Sequence, residues 1–227
     1  MEIHLDQELQ KLNTDLLSLA ALTEGAIHKS IEALKAKDQQ LAEECIRDDE
    51  RIDELELKIE EETIGLLALF QPMAKDLRFI TTGMRINSEL ERVADLTVNI
   101  CQRVKDMAAR DKVQVAPPAD ISKLGDIAKW MVRRAIDAFV SGDENQAKEV
   151  ILRDQEANQL RTAIINHLID DIMTKDKKTV PQATALLLAA RDLERICDQA
   201  KYIAEDVIYM IQAKVVKHHP ERLSEET

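Results

Sequence analysis

Apolar residues recur along most of the chain at alternating steps of four and three. Three stretches show this spacing in the first half, at about 5–36, 38–72 and 75–110. The first of them carries Leu5, Leu9, Leu12, Leu16 and Leu19. Because such positions form a stripe on one face of an α-helix, the pattern predicts three long helices packed against one another.

The same pattern returns after a break at residues 113–119, which contain the only Pro-Pro pair and are predicted to be a linker. Asp120 and Asp143 are the predicted N-caps of a fourth and a fifth helix. Pro181 is predicted to lie in the first turn of a sixth helix, where its missing N–H costs nothing. The polar residues 218–227 are predicted to be a tail.

The two halves of the chain resemble each other. The matching segments are 33–53 with 138–158, at an offset of 105, and 89–100 with 192–203, at an offset of 103. An internal repeat of this length, with three helices in each copy, predicts an all-α fold of two tandem, pseudo-symmetric three-helix bundles. The predicted boundaries are 1–112 for the first bundle and 120–217 for the second.

Composition narrows the class of protein. The chain has 227 residues with only 5 Gly and 5 Pro, where average usage would give about 16 and 11. This scarcity excludes a β-sandwich or barrel, which needs many turns. A formal net charge of −12 without a basic stripe argues against nucleic acid. We also expect no membrane insertion, no secretion signal and a cytoplasmic location with three buried thiols.

Pairs of acidic residues four apart stand out on the predicted second and third helices. These pairs are Asp49 with Asp53 and Glu91 with Asp95. Residues four apart share one face of a helix. Pro72, in the predicted turn, is equidistant from Asp49 and Asp95 and also from Asp53 and Glu91. An antiparallel hairpin should therefore bring all four carboxylates to one level.

The second half has an equivalent set. Asp154 and Asn158 lie on the fifth helix, and Glu194 and Asp198 on the sixth, placed evenly about Asp176. A ligand set made of oxygen alone favours hard cations such as magnesium, manganese or iron over a structural zinc site. The alternative is a solvated face neutralised by arginines that are near in sequence, which are Arg51, Arg92, Arg191 and Arg195.

Other chemistry finds little support in the chain. The five histidines are scattered, and none forms a Glu-x-x-His pattern with the acidic pairs, which disfavours a ferritin-like di-iron oxidase. The sequence has no glycine-rich phosphate loop and no nucleophile elbow. No catalytic residue is therefore predicted from these motifs.

Two segments, 85–95 and 191–198, resemble the PhoU family of bacterial and archaeal regulators of phosphate uptake and of the phosphate-starvation response. The family repeats a leucine-glutamate-arginine-isoleucine-glycine-aspartate helix, preceded in the first copy by glutamine-proline and aspartate-leucine-arginine. The corresponding residues here are Leu90-Glu91-Arg92-Val93-Ala94-Asp95, Leu193-Glu194-Arg195-Ile196-Cys197-Asp198, Gln71-Pro72 and Asp76-Leu77-Arg78. The resemblance covers nearly the whole chain.

The resemblance implies a metal cluster in each half, because some PhoU structures carry multinuclear iron or zinc clusters on these acidic motifs. Iron is the first expectation, and zinc, manganese and magnesium are alternatives. The implied ligands are Asp49, Asp53, Glu91, Asp95, Asp154, Asn158, Glu194 and Asp198. This chain departs from the family pattern because Ala94 and Cys197 replace the motif glycine and Asn158 replaces an acid. The second site is therefore the weaker expectation.

The resemblance also implies a function. The protein would be a negative regulator of phosphate uptake and not an enzyme. It would be an adaptor between the ATPase subunit of the high-affinity phosphate transporter and a membrane sensor histidine kinase. It would act as a homodimer at the inner face of the membrane. Two alternatives stay open from the residues alone: a metal-dependent phosphatase, and a purely structural helical adaptor without metal.

Overall fold

A computed structural model describes residues 2–109 and 115–214 of the chain, with side chains from His4 onward. Within these residues the protein has no strand and six long helices, as the sequence predicts. They are α1 (Glu2–Ala36), α2 (Gln39–Phe70), α3 (Ala74–Ala109), α4 (Ala119–Ser141), α5 (Glu144–Asn166) and α6 (Val180–Gln212). None of the described helices is both long enough and apolar enough to cross a membrane.

Local signals set the ends of the helices in the first half. Asp38 caps α2, and its carboxylate accepts a hydrogen bond of 3.0 Å from the N–H of Leu41. At the other end of α2, Gln71 takes the left-handed conformation (φ 47°) and Pro72 follows. Because Pro72 has no N–H to donate to a continuing helix, the chain reverses here and starts α3.

In the second half, Asp143 caps α5 as predicted and accepts hydrogen bonds from the N–H groups of Asn145 and Gln146. Pro181 lies in the first turn of α6, again as predicted. The prediction for Asp120 is wrong, since α4 begins at Ala119 and Pro118 takes the N-cap position without a side-chain bond. Asp120 instead lies in the first turn, where its charge complements the helix dipole.

The loop between α5 and α6 is partly helical. After Asn166 the chain continues as a π-helical turn from His167–Met173, and a short 3-10 turn at Lys177–Thr179 leads into α6. The predicted linker is not helical at residues 115–118. Residues 113 and 114, and the whole predicted tail 218–227, lie outside the described residues.

The two bundles pack side by side through α3 and α6, which run antiparallel. Arg85, early in α3, pairs with Asp206, late in α6, at 2.7 Å between Nη1 and Oδ1. Arg103, late in α3, pairs with Asp192, early in α6, at 2.7 Å between Nη2 and Oδ2. Buried apolar residues from both bundles form one continuous core. With about 1.5–3 kcal/mol for each fully buried Leu or Ile, this core dominates the stability.

A second contact between the bundles joins α1 and α4. Gly125 of α4 lies so close to α1 that a Cβ there would come within 2.6 Å of Cδ1 of Ile31. Trp130, also on α4, belongs to the apolar pattern of the sequence, yet it is 38% exposed and lies under the guanidinium of Arg153 at 5.3 Å. Its ring packs on a cation at the surface and not in the core.

Candidate functional site

The α2–α3 hairpin brings the four carboxylates of its two acidic pairs together, and we call Asp49, Asp53, Glu91 and Asp95 the first cluster. The negative charges of Asp53 and Asp95 both act on Asp49, and those of Asp95 and Asp53 act on Glu91. A hydrogen bond between the two helices fixes the alignment of α2 with α3. Nδ2 of Asn87 in α3 donates to the backbone oxygen of Glu56 in α2 at 2.9 Å. Carboxylates of α2 and α3 are therefore close enough to repel one another, as expected for helices aligned about the Pro72 turn.

Electrostatic repulsion dominates the first cluster. Burial, followed by the charges of Asp53 and Asp95, raises the pKa of Asp49 to about 6. Burial and neighbouring carboxylates also raise the pKa of Glu91. Among the described residues, no Lys or Arg forms an ion pair with these four carboxylates within 4 Å. One oxygen of Asp49, Oδ1, is buried with no hydrogen-bond partner in the described part of the chain.

A fifth carboxylate, which the sequence reasoning missed, belongs beside this cluster. Glu56 follows Asp53 by one helical turn, and its charge also raises the pKa of Glu91. Its own pKa is raised by burial, by Glu60 and by Asp53. The i, i+3 spacing from Asp53 was the signal in the sequence that could have found it.

The equivalent α5–α6 hairpin brings together Asp154, Asn158, Glu194 and Asp198, which we call the second cluster. Asp154 is buried, at 6% exposed. Its Oδ2 accepts hydrogen bonds from Nζ of Lys201 at 2.9 Å and from Nδ2 of Asn158 at 3.2 Å. Glu194 accepts a bond of 3.3 Å from Nη2 of Arg161 through its Oε1. Two cations of the protein are thus built into this cluster.

Repulsion persists in the second cluster but is partly offset. Burial, then the charges of Glu194 and Asp154, raise the pKa of Asp198 to about 6, while Lys201 and Arg161 act in the opposite direction. The pKa of Lys201 is raised despite its burial, because Asp154 stabilises the charged ammonium. The neutralising residues are therefore Lys201 and Arg161.

The arginines named in the sequence analysis do not fill this role. Arg195 instead lies 3.8 Å from Asp192 at the α3–α6 interface. Arg92 lowers the pKa of Glu91 only as a minor effect, after burial and three carboxylates. In the described residues, Arg51 and Arg191 form no ion pair with either cluster.

The two clusters fit a metal ion differently. In the described chain, no group of three or more His, Cys, Asp or Glu side chains is arranged so that it could hold a metal as it stands. The first cluster nevertheless has the donors that hard cations prefer, with oxygens only and the unpartnered Oδ1 of Asp49 among them. In the second cluster, Oδ2 of Asp154 and Oε1 of Glu194 already bind protein cations. Oδ1 of Asp154 is buried without a partner in the described residues, like Oδ1 of Asp49. The second cluster therefore differs from the first by the two cations and not by a lack of unpartnered oxygens.

Fold and clusters together define a duplicated helical protein with one acidic motif per three-helix bundle. The PhoU domain model matches the chain twice, at residues 16–104 and 121–207. The protein belongs to the PhoU family. It is 34% identical over 212 residues to the phosphate-specific transport system accessory protein PhoU homolog of Clostridium acetobutylicum, covering 93% of this chain and 95% of that one. The Aquifex aeolicus homolog of the same name is 35% identical with the same coverage.

Solved structures agree with this assignment. The crystal structure of PhoU from Pseudomonas aeruginosa superposes with a TM-score of 0.87 at 28% identity, covering 92% of this chain and 99% of that chain. The phosphate transport system regulatory protein PhoU from Streptococcus pneumoniae gives a TM-score of 0.85 at 29% identity, covering 93% and 99%. The recognition from the acidic motifs is confirmed, and so is the all-α fold class.

Proposed function

We propose that this protein is a negative regulator of phosphate uptake and of the phosphate-starvation response. It acts as an adaptor between the ATPase subunit of the high-affinity phosphate transporter and a sensor histidine kinase. The observation that carries the proposal is the near full-length match to relatives named phosphate-specific transport system accessory protein, with both copies of the domain present. The protein works by contact and not by catalysis, as a homodimer on the cytoplasmic side of the membrane.

The adaptor includes a cation site at the first cluster. Asp49, Asp53, Glu91 and Asp95 would hold the cation, with iron first and zinc, manganese or magnesium as alternatives. When bound, a multivalent cation supplies positive charge between α2 and α3. The residues themselves supply oxygens from both helices of one hairpin, and the unpartnered oxygen of Asp49 supports this assignment. Occupancy would then tie α2 to α3 and stiffen the surface that partners contact.

A metal-free structural adaptor is the second candidate. The observation that favours it is that no group of three potential ligands among the described residues is arranged to hold a metal as it stands. In that case the first cluster is a solvated acidic face, and it serves the regulator only through its charge.

Deletion of the gene tests the regulatory role. In phosphate-rich medium, the deletion strain is expected to express phosphate-starvation genes that the parent strain represses, and the intact gene on a plasmid should restore repression. Reporter expression and phosphate uptake are the two readouts. Normal repression in a deletion strain that has no second copy of the gene would refute the regulatory role.

Metal analysis of purified variants tests the site. Reconstitution with limiting iron, manganese, magnesium or zinc is followed by chelator-free desalting and elemental mass spectrometry. We expect Glu91→Ala with Asp95→Ala to remove more bound metal than the matched control, Glu194→Ala with Asp198→Ala. Wild-type protein without any metal would support the metal-free adaptor. Phosphatase activity that disappears with the first-cluster variant would instead support a metallophosphatase.

A further inference from the structure

The second half of the molecule has a cationic side chain at two positions of the repeat where the first half has none. Lys201 corresponds to Val98 at the offset of 103, and Arg161 corresponds to Glu56 at the offset of 105. The same two places in the repeat therefore hold an apolar and an acidic residue in one half and two cations in the other.

Both cations are engaged within the second cluster. Nζ of Lys201 lies 2.9 Å from Oδ2 of Asp154, and the side chains are 29% and 9% exposed. Nη2 of Arg161 lies 3.3 Å from Oε1 of Glu194, with side chains 32% and 16% exposed. A buried carboxylate requires a partner, and here each partner comes from the same helix hairpin.

The third difference removes a ligand charge. Asn158 stands where the first half has Asp53, and its amide donates 3.2 Å to Oδ2 of Asp154 instead of offering a carboxylate. Asp154 Oδ2 thus receives one charged and one neutral donor. The second cluster keeps acidic residues of the family motif, but Oδ2 of Asp154 and Oε1 of Glu194 accept hydrogen bonds from cations of the protein. Oδ1 of Asp154 is left without a partner in the described residues.

We infer that the Lys201 ammonium and the Arg161 guanidinium are resident counter-cations, which take the place of a metal ion and make the second half metal-independent. The inference departs from the expectation of one metal cluster per half. It rests on the proposed function only in comparing the second cluster with the cation site proposed at the first cluster. The charge balance of the second cluster stands on the ion pairs alone.

A three-residue exchange tests the inference in a protein whose first cluster is removed by Glu91→Ala and Asp95→Ala. In this background, Asn158→Asp, Arg161→Glu and Lys201→Val give the second cluster the residues of the first. Mn²⁺, Zn²⁺ and Fe²⁺ are each added alone, and titration calorimetry and thermal melts are recorded. The exchanged protein is expected to bind at least one of these ions at least tenfold more tightly than the background, with a rise of its melting temperature by several degrees.

Single variants in chelator keep the test independent of metal binding. Lys201→Met is expected to lower the melting temperature, because it leaves Asp154 buried without its cation. Lys201→Arg keeps a cation at this position and is expected to melt close to the wild-type temperature. Val98→Met, at the equivalent place in the first half, is the matched control and should leave the melt nearly unchanged. Circular dichroism before each melt confirms that the variant is folded.

Three outcomes would overturn the inference: metal binding by the background protein through an intact second cluster, no gain of binding in the exchanged protein, or a wild-type melt for Lys201→Met in chelator. A wild-type protein that binds no metal at all would refute the proposed cation site instead. The Lys201→Met melt still decides whether the resident cations hold the second cluster.

Discussion

The α2–α3 and α5–α6 hairpins place acidic residues at equivalent positions and deal with their repulsion in opposite ways. In the first half, Asp49 and Glu91 face other carboxylates, with no ion pair to the first cluster among the described residues. In the second half, Lys201 and Arg161 pair with Asp154 and Glu194. One fold thus carries a strongly negative cluster and a largely neutralised one.

The difference shows that packing and charge are separate layers of information in this repeat. The apolar positions beside the clusters match between the halves, for example Leu90 with Leu193 and Ile100 with Ile203, and all four are fully buried. Core burial determines the hairpin, whereas substitutions on its polar face alter the charge without altering the fold. A duplicated site can therefore lose its ligand chemistry while it keeps its geometry.

The largest difference between the two clusters is expected when their equivalent aspartates, Asp49 and Asp154, are each changed to Asn in metal-free protein. Asp154→Asn removes the partner of the half-buried Lys201 ammonium and should lower the free energy of unfolding by about 2 kcal/mol. Asp49→Asn removes a repelling, partly desolvated charge and should raise stability. Urea unfolding in chelator at pH 7 measures both.

Opposite signs for these two variants are the essential result. Asp95→Asn provides a further control, since it also relieves repulsion within the first cluster. If Asp154→Asn and Asp49→Asn shift the unfolding midpoint in the same direction and by similar amounts, the two clusters do not differ in charge balance as described.

Exchange of Glu56 and Arg161 should give the next largest effect. Glu56→Arg places a cation beside Glu91, as Arg161 lies beside Glu194, and should stabilise metal-free protein by about 0.5 kcal/mol. Arg161→Glu places a second carboxylate beside Glu194 and should cost about 1 kcal/mol. Thermal melts in low and high salt check the cause, because added salt should reduce both changes.

The double variant with both exchanges is a charge-neutral control. Its net charge equals that of the wild type, so overall charge cannot explain any stability change of this double variant. Glu56→Arg also removes the hydrogen bond of 3.2 Å from Nδ2 of Asn87 to Oε1 of Glu56. The salt dependence is therefore decisive: a stability change that is the same at low and high salt would show that Glu56 and Glu91 do not repel each other.

The last expected effect is one that the halves share, so it distinguishes them least. The pKa of Asp49 and that of Asp198 are both raised to about 6 in the folded protein, above the ordinary value of 3.8. Between about pH 4 and 6 the folded state therefore binds more protons than the unfolded state. The free energy of unfolding of the protein falls as the pH rises through this range, because these two carboxyl groups lose their protons. Asp49→Asn and Asp198→Asn should each gain stability over wild type from pH 4.5 to pH 7.

Melts of the three proteins across this range in chelator give the measurement, with Asp143→Asn as a control of opposite sign. The pKa of Asp143 is lowered, first by its bond with Gln146, so its carboxylate adds stability at higher pH. A difference between Asp49→Asn and wild type that stays constant with pH would contradict the raised pKa of Asp49.

Much of the fold and the outline of the site were predictable from local sequence. The caps at Asp38 and Asp143 act through a side chain and the N–H groups two or three residues later, so short segments contain the whole interaction. The N-cap prediction at Asp120 was wrong because the helix starts directly after Pro118, which lies two residues before Asp120.

The sequence by itself determined the six helices, the duplication and the meeting of the motif side chains in each hairpin. These follow from the 3.6-residue period and from turns equidistant from each pair, which are properties of single segments. Only the tertiary structure decided that Lys201 reaches Asp154, 47 residues away in the sequence, and that Arg161 reaches Glu194. Ion pairs depend on burial and on side-chain directions across two packed helices, and neither quantity is contained in the spacing of residues along one of them.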